Sequence, residues 1–272
     1  MTIATRDQLI AALASNHTSV VIDKASLANA AAGQFFSLWT SAGVPGAGAA
    51  PTTAAVCTQA LTGAISFTNQ TAPASSYIAW LALANNTNSA STFEFHDRLA
   101  HMGGLSGTVT TAQGALSLVT TDPGADRRGD ANYSGVRWWL EVYTALGATG
   151  VNATVNVTYN DDTTGNLAAV ALGATPRAGR MYPLVSASAG KYIKGVNSVT
   201  LSATTGTAGN FGITATRPRT VVFCPLLNLA TVADWAQLGL PEVYNDACLM
   251  GVAMCSTTTT GAWRGTGKIA HG

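Results

Sequence analysis

Residues 151–160, VNATVNVTYN, alternate apolar and polar side chains without a break. Val151, Ala153, Val155, Val157 and Tyr159 fall on one face, and Asn152, Thr154, Asn156, Thr158 and Asn160 on the other. A period of two is the mark of a strand with one buried and one wet face, and it excludes a helix, whose apolar positions recur at three and four. Beyond Cys57 the pattern repeats in AISFTN, SYIAWLALA, TFEFHDRLA, ALSLVTT, VRWWLEVYTAL, NLAAVALG, RMYPLVSAS, NSVTLSAT, NFGITAT and TVVFCPLL, with turn residues between the runs. Roughly ten short strands spaced in this way predict an all-β fold, a β-sandwich or jelly-roll-like body. The connections ALGATG and NDDTTG have hairpin length, so VRWWLEVY, VNATVNVTYN and NLAAVAL are expected to form a meander.

The N-terminal segment reads differently. Thr5 and Gln8 in TRDQLIAALA form a capping-box pattern, which predicts a short helix opening at Thr5 with Leu9, Ile10 and Leu13 on its packing face. A brief strand, SVVID, follows. Leu27, Ala31, Phe35 and Leu38 then recur at helical spacing, which predicts a helix weakened by Gly33, with an extended path around Phe35 as the alternative. Residues 43–55, GVPGAGAAPTTAA, are small and aperiodic, and read as a hinge. We therefore expect residues 1–50 to be an arm with a short helix and residues 51–272 to be an antiparallel β-sandwich or jelly-roll body. Near the end, TVADWAQLGL has cap residues and a stopping Gly239 for a helical turn or two. EVYNDACLMGVAMCS is apolar on both faces, as a doubly buried strand or a short helix would be.

What the alternating strand shows to water is Asn and Thr only, where an exposed sheet face usually carries Lys or Glu. The restraint is general: charged residues make up 10% of the chain, and lysine occurs only at 24, 191, 194 and 268. Uncharged polar side chains exchange water for a neighbouring chain far more cheaply than ions do, which suits a protein that lives against copies of itself or a partner. The net charge of +1 gives no field for nucleic acid, and there is no basic run. The N-terminus lacks the basic start and apolar core of a secretory signal, and no apolar stretch is long enough to span a bilayer, so we expect a cytosolic product with no membrane partner. Six N-x-S/T triplets follow from the abundance of Asn and Thr. The four cysteines, Cys57, Cys224, Cys248 and Cys255, are too far apart for a metal knuckle and are expected as buried thiols.

Candidate sites are few. Glu94, His96, Asp97 and His101 are the densest group of ligand-type residues, but on a strand only Glu94 and His96 share a face, and Asp97 with Arg98 reads as a charge pair. We expect a hydrogen-bonding cluster there and no metal. Asp122, Asp126 and Asp130 share one loop, with Asp161 and Asp162 in a hairpin. These oxygens could hold calcium, yet the spacing is not that of an EF-hand and Arg127 and Arg128 sit among them, so an exposed loop that docks on a partner is the better reading. No nucleophile elbow, phosphate loop or glutamate pair is present, so we expect neither a catalytic residue nor a cofactor. Trp138 and Trp139 must point to opposite faces, one into the core and the other under a second layer or a neighbouring subunit, with sugar stacking as the alternative.

Taken together, TRDQLIAALA, SLWTSAGVPGAGAAP, HDRLAHMGGLSG, WWLEVYTALGATG, TTGTAGNFG and YNDACLMGVAMCSTT resemble a group of structural proteins of tailed bacteriophages and prophages, over nearly the whole chain. The resemblance implies a virion component made in the host bacterial cytoplasm and carries over no catalytic residue. Within that group we expect a capsid decoration or cement protein that binds the major capsid protein or neighbouring virion subunits, and that forms a homo-oligomer, a trimer by preference. A tail, collar or head-to-tail component is the second reading, and a carbohydrate-binding receptor module the third. The expected contact residues are Phe35 and Trp39 in the arm, Asn152, Thr154, Asn156 and Thr158 on the alternating strand, and Arg127 and Arg128 in the charged loop. With no basic stripe, the protein should leave duplex DNA unshifted at physiological salt, which an electrophoretic mobility assay checks.

Overall fold

The computed structural model describes residues 2–28 and 30–272; Met1 of the expected arm and Asn29 of its second expected helix lie outside them. In chain order the first half contains α1 (Arg6–Ser15), β1 (His17–Lys24), β2 (Phe35–Ser37), β3 (Gly43–Val44), β4 (Ala55–Val56), β5 (Ser76–Asn85), β6 (Ser91–Leu105), β7 (Leu116–Ser117) and α2 (Ala125–Arg128). The second half contains β8 (Arg137–Thr144), β9 (Val151–Tyr159), β10 (Thr164–Asn166), β11 (Val170–Gly173), β12 (Arg180–Leu184), β13 (Ile193–Leu201) and β14 (Asn210–Cys224). It ends with β15 (Thr231–Asp234), α3 (Trp235–Leu238), β16 (Glu242–Val243), β17 (Leu249–Met254) and β18 (Trp263–His271). The chain is mostly β, with a short N-terminal helix, as the alternating pattern predicts. Among the described residues no helix is long and apolar enough to cross a membrane.

The chain divides into two compact units, one made of Met1–Gly48, Thr58–Asp97 and Arg219–Gly272, the other of Ala49–Cys57 and Arg98–Pro218. In the first unit an antiparallel sheet runs in the order β15, β5, β18, β1, β3, with β16 also on β5. Its inner face, including Ile22, Ile78, Leu81, Leu83, Trp263 and Ile269, packs with Phe93 and Phe95 of β6 and Leu249 and Ala253 of β17. Helix α1 has the expected capping box at Thr5 and Gln8 and buries Leu9 and Ala12 against Ala79 and Ala270. Ile10, expected on that face, is exposed, because the sheet covers a stripe too narrow to reach it.

Residues 1–50 are thus no separate arm. β1 pairs along its whole length with β18, from His17 opposite Ala270 to Lys24 opposite Trp263, and on its other side with β3. The helical periodicity of residues 27–38 is also overridden: Phe35–Ser37 is strand β2, hydrogen-bonded to β17, and Phe36 packs with Ala30 and Cys255. The small residues expected as a hinge serve close packing. A Cβ on Gly48 would lie 2.1 Å from Trp39 Cε2, and one on Gly63 2.6 Å from its Cε3, so the buried indole sits against glycine backbone on both sides.

In the second unit β9 lies between β13 on one side and β10 and β11 on the other, with β7 on the far edge of β13. Their inner residues, Val151, Val155, Val157, Val196, Val199 and Leu201 among them, form one core with Trp138, Leu140 and Val142 of β8, Phe211, Ile213 and Ala215 of β14, and Tyr182 and Leu184 of β12. The expected meander therefore breaks between β8 and β9. β8 is buried on both faces and pairs with β12 and β14, whereas β9 alternates buried and accessible and belongs to another sheet. NFGITAT and TVVFCPLL are parts of one strand, β14, and AISFTN contributes the isolated bridge Ile65 to Leu249. β17 resolves the last ambiguous segment as a doubly buried strand, and a helical turn at α3 follows the Asp234 cap.

If residues 43–55 were a hinge, Gly48→Ala would be neutral or mildly stabilising. The contact with Trp39 predicts a loss of about 1–3 kcal/mol from overpacking, to be read from the urea unfolding midpoint.

Candidate assembly surface

The solvent face of the β9 sheet is built from the polar half of the alternation. Asn152 and Thr154 are exposed, Asn156 and Thr158 half-buried. Register sets Thr154 beside Thr200, Asn156 between Asn166 and Ser198, and Thr158 beside Thr164. An irregularity between Val196 and Ser198 leaves Asn197 exposed as well. Asn156 Nδ2 donates to Asn166 Oδ1 (2.8 Å), Asn197 Nδ2 donates to Asn156 Oδ1 (2.9 Å), and Thr158 Oγ1 donates to Asn197 Oδ1 (2.9 Å). This side-chain ladder fixes amide orientations on an open surface, so ordering them on contact with a partner costs little further entropy.

Charge is kept to the end of this sheet. Lys194 is the one charged residue of β7, β9, β10, β11 and β13, and it pairs with Asp162. Lys191 reaches Asp161 Oδ2 at 3.0 Å and stands over the Tyr159 ring. A hydrogen bond from the Thr163 hydroxyl, then the Lys191 ammonium, holds the Asp161 carboxyl down to about 2. The ions at the β9–β10 turn are thus neutralised in pairs, and the middle of the face presents only amides and hydroxyls.

The other expected contact residues have internal roles. Trp39 is buried in the first unit, and Phe35 is half-buried on β2 beside Met254. Arg127, expected in an exposed docking loop, is 4% exposed: its Nη1 donates to Cys57 O (2.8 Å) and its Nη2 to Arg98 O (3.1 Å). Its planar fork of donors satisfies buried carbonyls that would otherwise be unpaired. Arg128 pairs with Asp122 (3.3 Å) and donates to Tyr133 OH (3.1 Å), so it too is engaged within its own loop. Asp130 accepts from the backbone of Asn132 and Ser134, and the Ser134 hydroxyl lowers its pKa. Among the described residues no three His, Cys, Asp or Glu side chains are grouped to hold a metal. Glu94 and His96 share a face as expected, at 2.8 Å, while Asp97 Oδ1 accepts from Cys248 N. All four cysteines are buried thiols. Trp138 and Trp139 are both inside, donating to Ile193 O and Thr216 Oγ1, and so form no sugar platform.

One cluster was not anticipated from the sequence. Glu141 shares a face of β8 with Trp139 and Tyr143, opposite the apolar core, and is 1% exposed. Its Oε2 accepts from Arg98 Nη2 (2.7 Å), Thr214 Oγ1 (2.6 Å) and Tyr143 OH (3.3 Å), and its Oε1 is buried without a hydrogen-bond partner. Arg98 Nε and Nη2 also point at His101 Nδ1, at 3.0 and 2.8 Å, which makes that nitrogen an acceptor and the imidazole neutral. Burial, and then the Arg98 charge, pushes the His101 pKa down to about 2, while burial raises that of the Tyr143 phenol. The signal in the sequence was a lone glutamate in the apolar run VRWWLEVY, which demands a buried cation without saying which one.

No protein-family model matches the chain, and no curated protein matches it in sequence. Among solved structures it is similar to the VP2 protein of infectious bursal disease virus. The subviral particle matches at 11% identity and a TM-score of 0.19, over 94% of this chain and 79% of that one. A mutant VP2 from T=1 particles matches at 10% and 0.17 over 94% and 77%, and the Gx strain at 10% and 0.19 over 94% and 80%.

The state of His101 predicts an acid limit to stability. An unfolded imidazole takes up a proton near pH 6.5, whereas the folded one stays neutral down to about pH 2. Below about pH 6.5 the unfolded state therefore binds the extra proton and stability falls, by at most about 1.4 kcal/mol per pH unit from this group. Urea midpoints should fall between about pH 6.5 and about pH 4.5, less steeply in His101→Gln; His271, whose pKa is also lowered by burial, supplies part of the remaining slope.

Proposed function

We propose that the protein works by assembly, as a structural subunit of a virus particle and most narrowly as a capsid decoration or cement protein of a tailed bacteriophage. The observation that carries the reading is the exposed face of β9, β10 and β13, ordered by its own Asn and Thr ladder and free of charge except at its paired end. Such a face gives up water cheaply and offers donors and acceptors in fixed positions, which is what a subunit needs to bridge its neighbours. The resemblance of the sequence to phage virion proteins supports the same reading. On it, the partners are the major capsid protein or neighbouring virion subunits, homo-oligomers form on the particle, and no cofactor, substrate turnover or nucleic-acid sequence is involved.

Asn152 and Thr154 are the cleanest test positions, since Asn156 is the centre of the ladder. Asn152→Lys with Thr154→Lys should leave the melting temperature of the free protein unchanged, because both side chains are exposed. Burying the two unpaired ammonium groups costs several kcal/mol, so binding to capsids lacking the protein should weaken by roughly a hundredfold or more. Unchanged binding in a cosedimentation assay would remove this face from assembly. Copy number per virion, measured by quantitative mass spectrometry, separates the head from a collar or tail position: hundreds support the cement reading, a few to dozens the other.

A further inference from the structure

Strand β1 is fully covered on one edge and barely on the other. His271 N donates to Asn16 O, and the unbroken β1–β18 register repeats that hydrogen-bonded pairing at every second residue, so Thr18, Val20 and Ile22 direct their backbone groups at β18. His17, Ser19 and Val21 direct theirs the opposite way, as Ala25 does when its N–H donates to Ala42 O. On that side β3 is the strand partner of β1 among the described residues, and it pairs only with Asp23 and Lys24. The reason is local. The buried Lys24 ammonium collects the carbonyls of Ser41 (2.7 Å) and Pro45 (2.8 Å), and Gly48 N donates to Trp39 O, so the chain after Val44 leaves β1. Beside the open stretch lies a groove of about 390 Å³, with Ser19 and Val21 on one bank and Leu61, Thr62, Ala64 and Ile65 on the other. Gly46 stands against the far bank, where a Cβ would fall 2.8 Å from Thr62 Cγ2. No charged side chain lines the groove among the described residues, and no Lys, Pro or bulge blunts the edge from His17 to Ile22.

We infer that this groove is a strand-addition site, in which an extended, uncharged peptide segment of a partner protein pairs with the open edge of β1. The edge itself selects the occupant: the backbone groups of His17, Ser19 and Val21 repeat every ~7 Å, two residues at ~3.4 Å each, and an extended chain presents its own donors and acceptors at the same interval. The banks select its side chains. They offer hydroxyls and apolar groups, so a charge carried into the groove would lose its water without gaining a counter-ion. Successive side chains of the added strand alternate between the bank of Leu61, Ala64 and Ile65 and the outer face beside Val21, which is 56% exposed. A groove of this volume holds a few residues of a single chain and not the layered edge of a folded second copy. The site is remote in sequence from the β9 face and stands whether or not that face binds capsids.

The test uses a capped hexapeptide alternating threonine and valine, titrated into the full chain and followed by calorimetry and by amide hydrogen exchange. Binding should slow exchange at the Ser19 and Val21 amides at least about tenfold and leave residues 152–158 unchanged. The same peptide N-methylated throughout cannot donate to the edge and should bind at least about tenfold more weakly to the unaltered protein. Val21→Pro removes one edge donor at a position where the N–H is not part of the β18 ladder, and should weaken the parent peptide by a similar factor, while Val21→Thr should bind it as the wild type does. Absence of binding at millimolar peptide overturns the inference, as does equal binding of the methylated peptide or protection that falls elsewhere. Self-association of the free chain that protects Ser19 and Val21 also overturns it, by giving the edge to a second copy. None of these measurements involves Asn152 or Thr154, so failure here is distinct from failure of the assembly face.

Discussion

A carboxylate on a strand buried on both faces has to meet a cation, and Glu141 meets Arg98. That requirement sets much of the second unit. β8 is held with its apolar side, Trp138, Leu140 and Val142, in the large core and its polar side, Trp139, Glu141 and Tyr143, against Thr214, Thr216 and Arg98. Losing either ion would strand the other without water, at a cost of several kcal/mol, so the pair specifies register as much as it stabilises. Arg127 extends the arrangement by capping Arg98 O and Cys57 O, which ties residues 49–57 and α2 to the same layer. Tyr143 and His101 complete the shell around the guanidinium with an oxygen and a neutral ring nitrogen.

This constraint separates β8 from β9. A strand with a carboxylate on one face and three large apolar side chains on the other needs cover on both faces: Trp138, Leu140 and Val142 pack with the inner residues of β9 and β13, Glu141 meets Arg98, and β12 and β14 pair with its edges. β9 needs cover on one side only, and so joins a sheet that leaves Asn152 and Thr154 in water. Ions are thereby sorted by environment: one pair sealed inside the second unit, others at the turn beyond β9, and a broad neutral face between strands.

The first unit relies on close approach. Trp39 lies against Gly48 and Gly63, and Phe93 against Gly251, where in each case a Cβ would fall within 3 Å of the ring. Large aromatic rings against bare backbone give dense packing with few charges, which fits a chain whose surface economises on ions. The same economy leaves the Asn and Thr face of β9 in the second unit without charge.

Local pattern determined whatever depends on neighbours in the chain. The period of two in VNATVNVTYN settled which residues of β9 face the core, and Thr5 with Gln8 set the start of α1, because both follow from backbone geometry within a few residues. The composition already declared the scarcity of surface charge. Tertiary structure decided what distant residues must supply. Phe35–Ser37 is a strand because β17 offers hydrogen bonds that outweigh a helical spacing interrupted by Gly33, and residues 1–48 belong to the first unit because β1 pairs along its whole length with β18. Arg127 looked like a surface charge in a run of charges; it is buried because two carbonyls, at Cys57 and Arg98, needed donors, and no sequence window spans those residues.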